Sequence, residues 1–231
     1  MSKLEETITF NIFSNCCVST PNAFLIDMLL KSIEVAFKIT LNDIVINVFI
    51  DHHPHSDRFD AYVENIKTVL CNHNVKNFSI NRTEGLSYSH AESIKLTKTP
   101  ILFELEHDHT FNTNIKHSLM DLCNVLLNNN EVECIQFGRL KKNNATQHFG
   151  LTQVIVDNIP FCKTKYISNI PYLIKMENAM ERIKHVKFVK ASWKGIEYEL
   201  TQTNLFLNHL YGKINYPATI THSDGMHATN I

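Results

Sequence analysis

Two stretches place reactive side chains where a sheet would deliver them. Residues 101–111 read ILFELEHDHTF, an apolar run ending in Glu106, His107, Asp108 and His109. Alternation sends Glu104, Glu106 and Asp108 to one face and Leu105, His107 and His109 to the other, if the strand runs that far. Carboxylates gathered at a strand end are costly unless paired or bound to a cation. A hard divalent cation, with phosphate oxygens as its other ligands, would compensate them. The residues alone leave a solvated loop of mixed charge open as the other reading. The second stretch is DIVINVFID (43–51), a continuous apolar run that delivers Asp51 at its end. In nucleotide-binding α/β domains a carboxylate there accepts a hydrogen bond from base or ribose; its alternative role is to cap the following loop.

These side chains need elements to hold them. ITFNIFS (8–14) alternates as a strand, and Pro21 precedes a helical pattern over 23–38 with Phe24, Met28, Ile33 and Phe37 in register. Residues 43–50 read as a strand buried on both faces. Residues 58–70 are an amphipathic helix with Asp57 as N-cap, and 77–81 are a third strand. Residues 89–97 are a short helix and 100–106 a fourth strand. This alternation predicts an α/β fold, a largely parallel sheet with helices on both faces. Ligands in such sheets bind beyond the carboxyl ends of the strands, which directs attention to 15–20, 51–54, 82–87 and 106–109. Further on, strands are expected at 132–137, 151–156 and 186–190, and helices at 173–184 and 195–210. No linker or repeat is visible. One domain is expected over 1–231, with a nucleotide-binding half to about 111 and an acceptor-side half after it.

Asp51-His52-His53 has the triplet of the DHH phosphoesterases, which bind manganese with further carboxylates from earlier strands. Here ITFNIFSNCCVS holds neither Asp nor His, and Asp27 lies within a helix. No metal is expected at His52, His53 or His55.

The run TEGLSYSHAESIKLTKTPILFELEHDHTF (83–111) resembles glycosyltransferases of the GT-A fold. Their pattern is a Gly-rich turn after the third strand, a helix of small residues, and an apolar strand ending in a DxD metal motif. Glu106-x-Asp108 falls at the DxD position, with Glu in place of the first Asp. VFID matches the strand whose Asp lies near the base, and YISNIPYLIK (166–175) is similar to an acceptor-side SNxP segment. KGIEYEL (194–200) resembles the GxEDEL motif that carries the catalytic carboxylate in inverting members, with Tyr198 where that motif has Asp. ATITHSDGMH (218–227) resembles the C-terminal stretch that returns a His to the metal. The resemblance spans roughly 8–225 and is nearest to small soluble GT-A domains encoded by large DNA viruses.

It implies a Rossmann-like GT-A sheet, Mn²⁺ or Mg²⁺, and a nucleoside-diphosphate sugar as donor. The metal falls to Asp108, Glu106 and His222, and the nucleotide to Ser14, Asp51, Arg82, Glu106 and Asp108. Arg82 would reach ribose or phosphate, or else remains a surface arginine. The base is Glu197 or Glu199, which point about 200° apart on a helix, so one of them faces the sugar; Glu197 matches the motif. The implied reaction is inverting transfer to a glycan or other hydroxyl. A sugar-nucleotide nucleotidyltransferase would carry a basic Gly-rich loop after the first strand, where this chain has SNCCVSTPN. A noncatalytic nucleotide-sugar or glycan-binding domain would fit Tyr198.

The formal net charge of −1 over 231 residues gives no basic field for nucleic acid. The six cysteines form no CxxC pair and no framework spacing, so reduced thiols and a cytoplasmic setting are expected. MSKLEETITF lacks a signal-peptide pattern, and no apolar run approaches a membrane span.

Overall fold

The computed structural model describes residues 3–15, 22–51, 58–138, 152–164, 170–186, 188, 208–213 and 217–222. After a short turn, α1 (Leu4–Thr7), the chain alternates as the sequence predicts. It runs β1 (Ile8–Asn15), α2 (Phe24–Phe37), β2 (Val45–Asp51), α3 (Phe59–Asn72), β3 (Asn77–Thr83), α4 (Leu86–Leu96) and β4 (Ile101–Glu106). β2 and β4 pair in parallel on either side of β1, and β3 pairs in parallel with β2. The strand order therefore reverses between β1 and β4, which opens a ligand crevice above their carboxyl ends.

The rest of the chain adds short pieces: β5 (His109–Phe111), which forms a separate two-stranded ribbon with the last described strand, α5 (Leu119–Asn128), β6 (Cys134–Gln136), β7 (Thr152–Val156) and β8 (Ile159–Thr164). Then come β9 (Tyr172–Lys175), α6 (Met176–Ile183), β10 (Asn208–Tyr211) and β11 (Ile220–His222). Nine strands form one sheet in the order β3-β2-β1-β4-β9-β6-β10-β8-β7. β9 lies antiparallel between β4 and β6, and so joins the two halves. The helix expected over 173–184 begins only at Met176, because Tyr172–Lys175 is taken up as that joining strand. The helix expected over 195–210 gives way to strand at Asn208; the remainder of that span lies outside the described residues. β5, α5 and β8 were not expected; α5 starts at a capping box between Ser118 and Asp121.

The faces of the parallel strands differ. One is apolar, with Phe10, Ile12, Ile46, Val48, Phe103 and Leu105 fully buried. α2 packs on it: Phe37, Phe103, Phe111 and Phe137 form a four-ring cluster with centroids 5.3–6.1 Å apart. The other face carries a polar row in strand register: Ser79, Asn47, Asn11, Glu104, Tyr172 and Gln136. Ser79 Oγ donates to Asn47 Oδ1 (2.8 Å), Asn47 Nδ2 to Asn11 Oδ1 (3.1 Å), and Asn11 Nδ2 to Glu104 Oε1 (3.1 Å). α4 covers this row. Its buried residues are serines, and Ser93 Oγ donates to Glu104 Oε1 at 3.2 Å. A helix poor in apolar residues is what a polar face needs, since buried polar groups must find partners.

Among the described residues, Cys71, Cys123, Cys134 and Cys162 are free thiols, and burial pushes Cys123 up to about 12. No described helix is long and apolar enough to cross a membrane.

Candidate active site

The expected metal cluster lies just past β4. β4 stops at Glu106, and His107 and Asp108 form a turn before β5 begins at His109. Strand alternation therefore ends two residues earlier than its simple extension suggests. The turn brings His109 to the same side as Asp108, with His109 Nδ1 3.1 Å from Asp108 Oδ1 and 3.6 Å from Glu106 Oε2. His107 is buried elsewhere: its Nδ1–H donates to Phe13 O at 3.2 Å, and its main-chain N–H reaches the same carbonyl. Burial pushes the His107 imidazole below its usual range.

The last described strand completes the cluster. β11 pairs antiparallel with β5, setting His222 opposite His109 and Ile220 opposite Phe111. The pairing is braced beside the ribbon: the Asn112 and Asn114 side chains both donate to Ala218 O, and the main-chain N–H of Thr219 donates to Gly138 O. His222 Nε2 then lies 2.9 Å from Asp108 Oδ2, and the two imidazoles are 4.9 Å apart between centroids. Asp108, His109 and His222 each offer one ligand atom, all within 4.8 Å of one another. Burial would raise the Asp108 carboxyl, but the His109 hydrogen bond and the charges of His107, His109 and His222 hold it at about 2. An ionised carboxylate with two imidazoles fits a divalent metal, and the imidazoles suit Mn²⁺ better than Mg²⁺, which prefers all-oxygen sites. His109 was not singled out as a ligand from the sequence; a turn instead of continued strand at His107-Asp108 is the signal that would have found it.

Asp51 sits at the end of β2, in register with Asn15 and Thr83. Its Oδ1 accepts from Thr83 Oγ1 and Ser89 Oγ, each at 3.1 Å. Burial raises its carboxyl, and the Ser89 and Thr83 bonds and nearby His90 only partly offset this. Ser14 and Arg82 do not join this group. Both lie on the apolar side by strand alternation. Ser14 Oγ is 2.5 Å from Tyr62 Oη, and Arg82 pairs with Asp60 and stacks 3.9 Å over the Phe59 ring. Glu197 and Glu199, the DHH histidines and most of YISNIP lie outside the described residues.

No protein-family model and no curated protein matches this sequence. Solved structures do match. Residues 1–349 of S. aureus TarS superpose with a TM-score of 0.53 at 13% identity, over 93% of this chain and 60% of that one. The same protein in complex with UDP-GlcNAc gives 0.55 at 12% identity, over 96% and 62%. This chain has a GT-A-like fold. It spans about 60% of the length of the TarS chain it matches. The mannosyltransferase PcManGT from Pyrobaculum calidifontis, in complex with GDP-Man and Mn²⁺, aligns over 73% of this chain and 44% of its own at 10% identity and a TM-score of 0.46.

Proposed function

We propose that this protein is a metal-dependent glycosyltransferase. It moves a sugar from a nucleoside-diphosphate donor to a hydroxyl of a glycan or similar acceptor, with inversion. The observation that carries this reading is the Asp108–His109–His222 cluster beside the point where the strand order reverses. The continuous sheet supports treating 1–231 as one domain, its first half holding the nucleotide and its second the acceptor.

Asp108, His109 and His222 would hold the cation, with Glu106 close enough to join through water. A divalent cation there supplies Lewis-acid stabilisation of the leaving diphosphate. Asp51, shielded and fixed by Thr83 and Ser89, accepts an N–H or O–H from base or ribose. Glu197 (Glu199 is the alternative) takes the proton of the acceptor hydroxyl as it attacks. Attack from the face opposite the diphosphate inverts the anomeric centre.

Calorimetry tests this directly. UDP or GDP should bind in Mn²⁺ and lose most of that affinity in EDTA, and Asp108→Asn should bind alike in both. Equal affinity of the unmodified protein in Mn²⁺ and in EDTA overturns the reading.

A further inference from the structure

Glu104 is the deepest carboxylate on the polar face, 3% exposed. Burying a carboxylate is costly, and the opposite face of the same strands manages with apolar residues. Its Oε1 is shared by two neutral donors, Asn11 Nδ2 and Ser93 Oγ. Its Oε2 faces an imidazole, with His90 Nδ1 at 3.3 Å. The His90 ring is fixed from a second side by Phe13, centroids 4.3 Å apart. A carboxylate on one ring nitrogen sets the tautomer and turns the other nitrogen to a second task.

That second nitrogen belongs to a ring lining a small crevice with Phe13, Glu106, Ile170 and Tyr172, at the carboxyl ends of β1 and β4. Helix α4 adds to the same field. It begins at Gly85 just beyond β3, and it has no side-chain cap and no acidic residue in its first turn. The amides of such a helix start favour an anion. His90 lies on the second turn of that helix.

We propose that Glu104 is a positioning residue. It grips His90 through Nδ1 so that Nε2–H donates to a diphosphate oxygen of the nucleotide in the crevice between β1 and β4. The proposal rests on the nucleotide-sugar reading above and adds to it a pair outside the cation cluster. The paired carboxylate fixes the ring, so the Nε2–H is aimed before nucleotide arrives, and the bond is to a charged phosphate oxygen.

The test uses the full chain, UDP and GDP as probes, and Mn²⁺. Long-range ¹⁵N–¹H spectra read the ring nitrogens of His90, assigned by the signal missing in His90→Gln. The Nε2 resonance should move when nucleotide is added. In calorimetry, His90→Phe keeps the stack on Phe13 but has no N–H, and nucleotide affinity should fall roughly tenfold, as for loss of a charge-assisted bond. Glu104→Gln should cause a smaller fall, with the Nδ1 resonance of His90 displaced. Mn²⁺ affinity without nucleotide should be unchanged in both. If His90→Phe alone fails to fold because Glu104 loses its partner, the double variant with Glu104→Gln is neutral there and is read in the same way. Nucleotide binding that leaves the Nε2 signal still, or equal affinity in His90→Phe and the unmodified chain, overturns the positioning role while sparing the proposed function. Absence of any nucleotide binding by the unmodified chain would sink both.

Discussion

At the scale of single residues, the cation cluster divides labour by ligand type. In the proposed site Asp108 would supply charge, and His109 and His222 would supply selectivity, because imidazole nitrogen suits Mn²⁺ better than Mg²⁺. His109→Ala or His222→Ala should weaken Mn²⁺ binding on the order of tenfold or more and barely change the weaker Mg²⁺ binding. Titration calorimetry with each ion checks this; equal losses for both would remove the histidines from the ligand set. Asp108 also couples the site to acid stability. Its carboxyl is held at about 2 against an ordinary 3.8. A depressed folded-state value stabilises the fold above the unfolded value, and the benefit is lost as pH falls through the folded one. Metal-free protein should therefore lose stability from about pH 4 down to about 2, and Asp108→Asn should lose less over that window in urea unfolding. For the base, Glu197→Gln keeps size and hydrogen bonding but cannot take a proton. Turnover should fall by roughly 10² to 10⁴ with donor affinity kept, and Glu199→Gln should do much less. The opposite ranking in a turnover assay would move the role to Glu199.

The elements explain which of these residues could be read in advance. Asp51 and Asp108 were legible because long apolar runs end at them, and a parallel sheet presents strand ends to its ligand. The helices and strands over 8–106 were legible for the same reason: each is long enough to show a period. β5, β9, β10 and β11 are three or four residues each, too short for any period to emerge. His222 was therefore visible only through family resemblance, and His109 was given the wrong face. Asn11 and Asn47 read as lone polar residues inside apolar runs, and Glu104 as one of the strand-end carboxylates; nothing in the order of residues says that the three align across neighbouring strands. β5 illustrates how an element holds a site. Phe111 sits two residues past His109 in the four-ring cluster, and its N–H donates to Ser32 Oγ on α2 at 2.9 Å. Phe111→Ala should cost about 3–5 kcal/mol of stability. It should also weaken Mn²⁺ binding, since the strand carrying His109 loses its anchor; denaturant unfolding and metal titration on the same samples check both. Unchanged metal affinity would mean that the turn at His107-Asp108 holds the ligands by itself.

For the whole molecule, ligand binding and folding share one equilibrium. Mn²⁺ with nucleotide at about a hundred times its dissociation constant should add about 2.7 kcal/mol, a rise of roughly 5–10 °C in melting temperature for a chain of this size. The rise should vanish in EDTA, and a thermal melt with UDP or GDP checks it. No site is expected at the DHH histidines. An anomalous scattering peak from Mn²⁺ at His52 or His53 in a soaked crystal would contradict that and revive the phosphoesterase reading.

The β5–β11 ribbon has a consequence for timing during synthesis. Asp108 and His222 are 114 positions apart in the chain. The four parallel strands and their helices involve residues up to Glu106, so they can pair while the ribosome is still making the remainder. Asp108, His109 and His222, the proposed cation ligands, cannot all meet until residues 217–222 have emerged and docked between Asn112, Asn114 and Gly138. A nascent chain can thus hold a formed crevice at the ends of β1 and β4 and still lack the site at which the proposed ion would bind. On the proposed reading, competence waits for β11 to dock.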